Sequence, residues 1–332
     1  MTSVPPQKSD LRQPKEIYQD RPHGYKMETG NFKTHTSQID DASGDKAHMK
    51  KAHKRSSAAL LLIDLQNDFI EGSLAIRSCP SGHEALDVIP VVNKLRAHEY
   101  WRKVVWTLDS HPEDHCSFIT NASKHPFHEK SPIKPEQAKM FDTVILQGPE
   151  KLPEMEQKLW PVHCVEGTWG WKLHKDLKVE NEDSFVKKGT NSKVDSYSAF
   201  YDNAKLNKTN LHDILRAEGV RDIYLCGLAW DYCVAFTALE GRELGYNVYV
   251  VSDGCKGVDN DGIKAMSERM RQAGVKIISS QDLEKSLDEK DHNSDNNNHL
   301  EAAHRRRTAS SSASSPALAV EESRERGTLS TN

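Results

Sequence analysis

Apolar residues in this chain come in short blocks that alternate between two periods. Ala58–Leu65 is an apolar run giving way to polar residues, as a strand buried on both faces reads. His83–Tyr100 carries apolar residues at helical spacing, and Lys103–Leu108 predicts a second strand. A long irregular stretch rich in His and Pro follows, then a short third strand at Ser184–Lys187. Asn210–Glu218 predicts a helix with Gly219 as its stop signal. Strand Asp222–Gly227, helix Tyr232–Leu244, strand Asn247–Val251, helix Gly262–Ala273 and strand Val275–Ser279 complete the series. Strand, helix and strand repeated in this way mean βαβ units. The expected fold is α/β, a single three-layer α/β/α domain over residues 57–287 with a central, mostly parallel sheet. Ligands of such sheets bind beyond the carboxyl ends of the strands.

The flanks differ. Residues 1–56 are polar, rich in Lys, Asp, Ser and His, and lack apolar periodicity; residues 288–332 contain an Asn-rich stretch, the basic run His304–Arg307 and a Ser/Ala-rich run. Neither can bury enough apolar surface to offset chain entropy, so both are expected to be disordered. They account for the low mean hydropathy of -0.72. In the tail, Thr308 and Ser310 follow Arg305–Arg307, a pattern that phosphorylation could turn into a docking site for a phosphopeptide reader; a solubilising tail with coincidental basic residues is the favoured reading.

Net charge is -4, which gives no basic field for nucleic acid. The six cysteines show no short-loop disulfide framework and read as reduced thiols. No apolar run approaches the roughly 20 residues that span a bilayer, and no secretory or transit signal opens the chain. A cytoplasmic protein with access to the nucleus is expected, without membrane or nucleic-acid partners; a homo-oligomer is compatible with the pattern.

Candidate chemistry gathers at the predicted strand ends. Asp64 closes the first strand, where partial desolvation makes a carboxylate a usable base; capping the next turn is the bland alternative. Asp109 and His111 end the second at alternate positions, a pairing that suits a borderline divalent ion. His115, His125, His128 and His163 are available as a third ligand, and His163 is held among Pro161 and Trp160. Lys187 and Lys188 end the third strand, and only one of them can face the crevice. The fourth runs through Gly227, Leu228 and Ala229 to Asp231, a good N-cap, and Cys233 in the helix's first turn. There the free amides and the helix dipole favour a thiolate and can receive an oxyanion. A small buried hydrophobe is the commoner fate of a cysteine, but a strand-to-helix turn is a place for reactivity.

These motifs together resemble the nicotinamidases of the isochorismatase-like cysteine hydrolase superfamily. They are Ile63–Phe69, Asp109–Pro112, Trp160–Cys164, Lys188-Gly189 with Tyr197–Phe200, and Gly227–Ala229 leading to Tyr232–Val234. The resemblance covers about Ala58 to Ile278. It implies a catalytic triad of Asp64, Lys188 and Cys233, with Lys188 selected because the family's lysine directly precedes the glycine. It implies one divalent ion, Zn²⁺ first with Fe²⁺, Mn²⁺ or Mg²⁺ as alternatives, on Asp109, His111 and His163, with His115 a further candidate contact. It implies a cis peptide at Leu228–Ala229, an oxyanion hole from the amides of Ala229 and Cys233, and a ring pocket from Phe69, Trp160, Tyr197 and Leu228. The implied activity is hydrolysis of nicotinamide to nicotinic acid and ammonia through a cysteine thioester, feeding NAD salvage. The alternatives are a related cysteine amidohydrolase acting on another small amide, and an inactive scaffold. The metal set argues against the first, and retention of every expected catalytic residue against the second.

Overall fold

A computed structural model describes residues 56–149 and 152–287. The N-terminal extension up to residue 55 and the tail from 288, with Thr308 and Ser310, lie outside the described residues. The chain divides into two compact units at Glu284 and Lys285, and every element below belongs to the first.

Strand β1 (Ala58–Ile63) is buried at all six positions, because neighbours flank it on both sides and helices cover both faces. Around it stand β2 (Lys103–Asp109), β5 (Ser184–Lys188), β6 (Asp222–Leu228), β7 (Asn247–Lys256) and β8 (Lys276–Ile278). Their order is β5-β2-β1-β6-β7-β8, and every pairing is parallel. Connections run one way from β1 to β2 and the other way from β6 to β8. The reversal falls between β1 and β6, which opens a crevice beyond their carboxyl ends.

Helices α3 (Leu211–Ala217), α4 (Ala235–Glu243) and α5 (Asn260–Gln272) pack on one face, where Leu215, Ala238 and Met270 meet Leu61, Ile223 and Val250. Gly219 ends α3 as expected, at φ 66°. Helix α2 (Val88–Arg96) is shorter than the stretch His83–Tyr100 predicted for it. Its first part is a 3₁₀ turn at Ala85–Asp87, and the Trp101 indole N–H caps the Leu95 carbonyl at 2.6 Å, closing the last turn. Strand β7 runs beyond the predicted Val251 by bulging between Val250 and Cys255. A hairpin of β3 (Thr143–Leu146) and β4 (Met155–Lys158) was not legible in the irregular stretch. Its strands have four residues each, and Met-Glu-Gln-Lys carries no apolar alternation. The four-residue helix α1 (Asn67–Ile70) completes the frame.

Candidate active site

Asp64 leaves β1 at φ 47°, a left-handed conformation that turns the chain sharply toward the crevice. Thr107 on β2 fixes it there. Its hydroxyl accepts the Asp64 N–H at 3.1 Å and donates to Oδ1 at 2.6 Å. The chains can approach because Gly227 faces β1: a Cβ there would lie 2.0 Å from the Ile63 carbonyl oxygen. Gln66 pairs with Asp109 as a strand would. It donates to the Asp109 carbonyl at 2.8 Å and accepts the Asp109 N–H at 2.9 Å.

Edge strand β5 alternates outward and inward, so Lys187 is exposed and pairs with Glu166, while Lys188 is buried. The Lys188 ammonium lies 2.9 Å from Asp64 Oδ2, 2.9 Å from the Ser196 carbonyl oxygen and 3.3 Å from Cys233 Sγ, and also contacts Asp109 Oδ1. Burial works against its charge, but the Asp109 and Asp64 carboxylates outweigh it and hold the ammonium well above its ordinary pKa. Burial pushes Asp64 up despite Lys188. It also works to raise Asp109, which Lys188 and His111 overcome, holding it well below the usual carboxylate range. One carboxylate of the pair is therefore the readier proton acceptor, and it is Asp64.

Cys233 does not sit in an ordinary first helical turn. Trp230–Val234 form a π-helical turn ahead of α4, and the Leu228–Ala229 peptide is cis, as the resemblance implied. Asp231 does not cap the helix. Its two oxygens accept the N–H groups of Val258 and Asp259 at 2.8 and 3.0 Å. Burial raises Asp231 to about 6 and pushes the Cys233 thiol well above its ordinary value. Burial thus opposes the thiolate that the free amides at a helix start favour, and a neighbouring base has to draw the proton off. Carboxylate oxygens of Asp64 and Asp109 lie within 4.8 Å of its sulfur.

Asp109, His111 and His163 bring one donor atom each within 4.8 Å of one another, all buried. His111 Nδ1 is hydrogen-bonded to the Gly189 carbonyl and His163 Nδ1 to the Pro161 carbonyl, both at 2.8 Å. Each Nε2 therefore faces Asp109 Oδ2, at 3.4 and 3.8 Å. Imidazoles oriented through one nitrogen by a backbone carbonyl are what a divalent ion requires. Burial lowers His163 to about 4, which leaves its lone pair free at neutral pH. The donor set fits a divalent metal. His115 stands outside it, in a second group with His111 and Asp195; its Nδ1 is bonded to Ser117 and burial keeps it neutral.

One cavity joins both clusters. Asp109, His163, Ala229 and Cys233 line it together with the expected aromatic residues Phe69, Trp160 and Tyr197. Tyr232 completes the aromatic wall, its ring 4.9 Å from Trp160 and 5.3 Å from Tyr197. Leu228 is fully buried and is not a lining residue. Leu74, Ile76, Asp195 and Val258 also line the cavity. Sequence reasoning missed them because isolated residues in irregular segments carry no signal. Tyr232 and Gln66 lay inside quoted motifs without an assigned role.

The Isochorismatase domain family matches residues 58–282. A nicotinamidase of Escherichia coli is 36% identical over 69% of this chain and 97% of its own length. A nicotinamidase/pyrazinamidase structure from Acinetobacter baumanii superposes with a TM-score of 0.58 at 33% identity, covering 70% of this chain and 100% of that one. The yeast nicotinamidase bound to the inhibitor nicotinaldehyde gives a TM-score of 0.57 at 28% identity, covering 67% and 99%. With the sheet, the buried Asp-Lys-Cys cluster and the Asp-His-His set in place, the chain belongs to the isochorismatase family, among relatives that are nicotinamidases.

Proposed function

We propose that this protein hydrolyses nicotinamide to nicotinic acid and ammonia, with Cys233 as nucleophile. The observation that carries the reading is the single cavity lined by both the thiol and the Asp109–His163 donors within an aromatic wall. Asp109, His111 and His163 would hold a divalent ion, Zn²⁺ by preference for these nitrogen and oxygen donors, and it would supply a Lewis acid for the ring nitrogen.

Phe69, Trp160 and Tyr197 sandwich the planar ring and exclude water. Asp64 takes the thiol proton of Cys233, and Lys188 stabilises the resulting charges. The sulfur attacks the carboxamide carbon, and the amides of Ala229 and Cys233 receive the oxyanion. The C–N bond breaks as Asp64 returns its proton to the leaving nitrogen, releasing ammonia and leaving a thioester. Water, activated by Asp64, attacks that carbon. The C–S bond breaks, nicotinic acid departs and the thiol is regenerated.

Ammonia release from nicotinamide, with and without a chelator, tests the reading. Turnover that the chelator abolishes and Zn²⁺ restores is expected. Turnover of other small amides with none of nicotinamide points instead to a related amidohydrolase, and no turnover at all to a scaffold.

The catalytic domain is proposed to span residues 57–287. No helix among the described residues is long and apolar enough to cross a membrane. We place the protein in the cytoplasm with access to the nucleus, which imaging of the tagged full chain checks. A phosphopeptide-reading partner at Thr308 and Ser310 is tested by mass spectrometry of native protein, and absence of phosphate under all conditions removes it. Sedimentation decides between monomer and homo-oligomer.

A further inference from the structure

Asp68 is buried, and the reaction above makes no use of it. It sits in α1 one residue before Phe69. Its carboxylate reaches two distant pieces of backbone: Oδ2 accepts the N–H of Cys164 at 2.7 Å, and Oδ1 accepts that of Ser73 at 3.1 Å. Cys164 directly follows His163, and Ser73 directly precedes Leu74, so both bonds end beside cavity-lining residues. A third segment closes over the same group. The Asp68 N–H donates to the Gly170 carbonyl at 3.0 Å, and a Cβ on Gly170 would lie 1.9 Å from Oδ2. Only glycine lets that segment approach.

The turn at Cys164 has an unfavourable conformation of its own, with φ 48° on a residue that is not glycine. A left-handed residue persists where its surroundings over-determine it. The charge-assisted bond from its amide to Asp68 is such a constraint, stronger than a neutral hydrogen bond. The Nδ1 bond to Pro161 fixes the rotation of the His163 ring, but the position of its backbone depends on this turn.

We propose that Asp68 is a positioning residue for the ion site: its carboxylate holds the Cys164 turn so that His163 meets Asp109 and His111, and ties that setting to the cavity wall at Phe69 and Leu74. The inference rests on the metal reading above. Asn at position 68 keeps one acceptor but turns an NH₂ donor toward the other amide, so one of the two bonds is lost.

The test is competition for Zn²⁺ between the metal-stripped full chain and a chromogenic chelator, for wild type, Asp68→Asn and Gly170→Ala. The second variant keeps the charge and displaces the carboxylate by its added Cβ. Both are expected to bind Zn²⁺ about 10–100-fold more weakly, the range found when a group supporting a metal ligand is lost. Excess Zn²⁺ restores much of their turnover, and KM for nicotinamide rises more than kcat falls. A merely structural role lowers the melting temperature without moving Zn²⁺ affinity. Either variant folding and holding Zn²⁺ as tightly as wild type overturns the proposal. Wild-type protein that binds no Zn²⁺ removes the metal reading itself, a distinguishable result.

Discussion

Asp109 divides its two carboxylate oxygens between the clusters, Oδ1 facing Lys188 and Oδ2 facing the two histidines. Nucleophile and ion site therefore cannot move independently. The fit is tight at Gly189, whose φ is 65° and where a Cβ would lie 2.4 Å from His111 Cε1. Gly189→Ala is expected to tilt that imidazole, weaken Zn²⁺ binding by about tenfold or more and lower turnover in step; a calorimetric titration with Zn²⁺ checks it, and unchanged affinity contradicts the assignment of His111. Much at this scale was legible in the sequence. The motifs named the Asp-Lys-Cys cluster and the donor set, and the Lys188-Gly189 pair marked which lysine turns inward. The double use of Asp109 was not legible, because which oxygen faces which neighbour is decided by the spacing of β2 and β5. The depth of Cys233 was not legible either: a sequence shows the helix start but not the burial that pushes the thiol up.

Strand β5 shows how an element sorts chemistry by alternation. Its inward Lys188 sits between two buried carboxylates, and its outward Lys187 pairs with exposed Glu166. Lys188→Met is expected to abolish turnover and to cost about 3–5 kcal/mol, as removing one partner of a buried ion group does. Lys187→Ala should leave both nearly unchanged. Urea unfolding and an activity assay on the two variants make the comparison, and equal effects would contradict the inward assignment.

Helix α4 carries another buried carboxyl, Glu240, raised to about 7 by burial despite Ser198 and Lys205. Its pKa is higher folded than unfolded, so its contribution is fully present below about 4.5 and is lost as pH rises through about 7. Glu240→Gln should therefore stabilise the protein relative to wild type at pH 8 and not at pH 4, by on the order of 2–3 kcal/mol. Melting curves at the two pH values test this, and a gain that fails to grow with pH refutes it. The long regular elements were legible because their periods are strong. Hairpin β3–β4, the short helix α1 and the π-helical turn were not, since tertiary contacts rather than local pattern define segments so short.

For the whole molecule, the decisive feature is the reversal of strand order between β1 and β6. It sets Asp64 and Cys233 on either side of one crevice, with Asp109 and Lys188 arriving from the next two strands. The alternation of strands and helices predicted a parallel sheet, but strand order depends on long-range pairing that no local pattern encodes. Given that order, four strand ends bring Asp64, Asp109, Lys188 and Cys233 into one buried cluster beside the cavity. The measurement that bears most directly on this is kcat/KM for nicotinamide in wild-type protein and Cys233→Ala, with Zn²⁺ content checked in both. The account predicts deamidation by the wild type and background turnover in the variant at undiminished Zn²⁺ content. Turnover by Cys233→Ala comparable to wild type would contradict it.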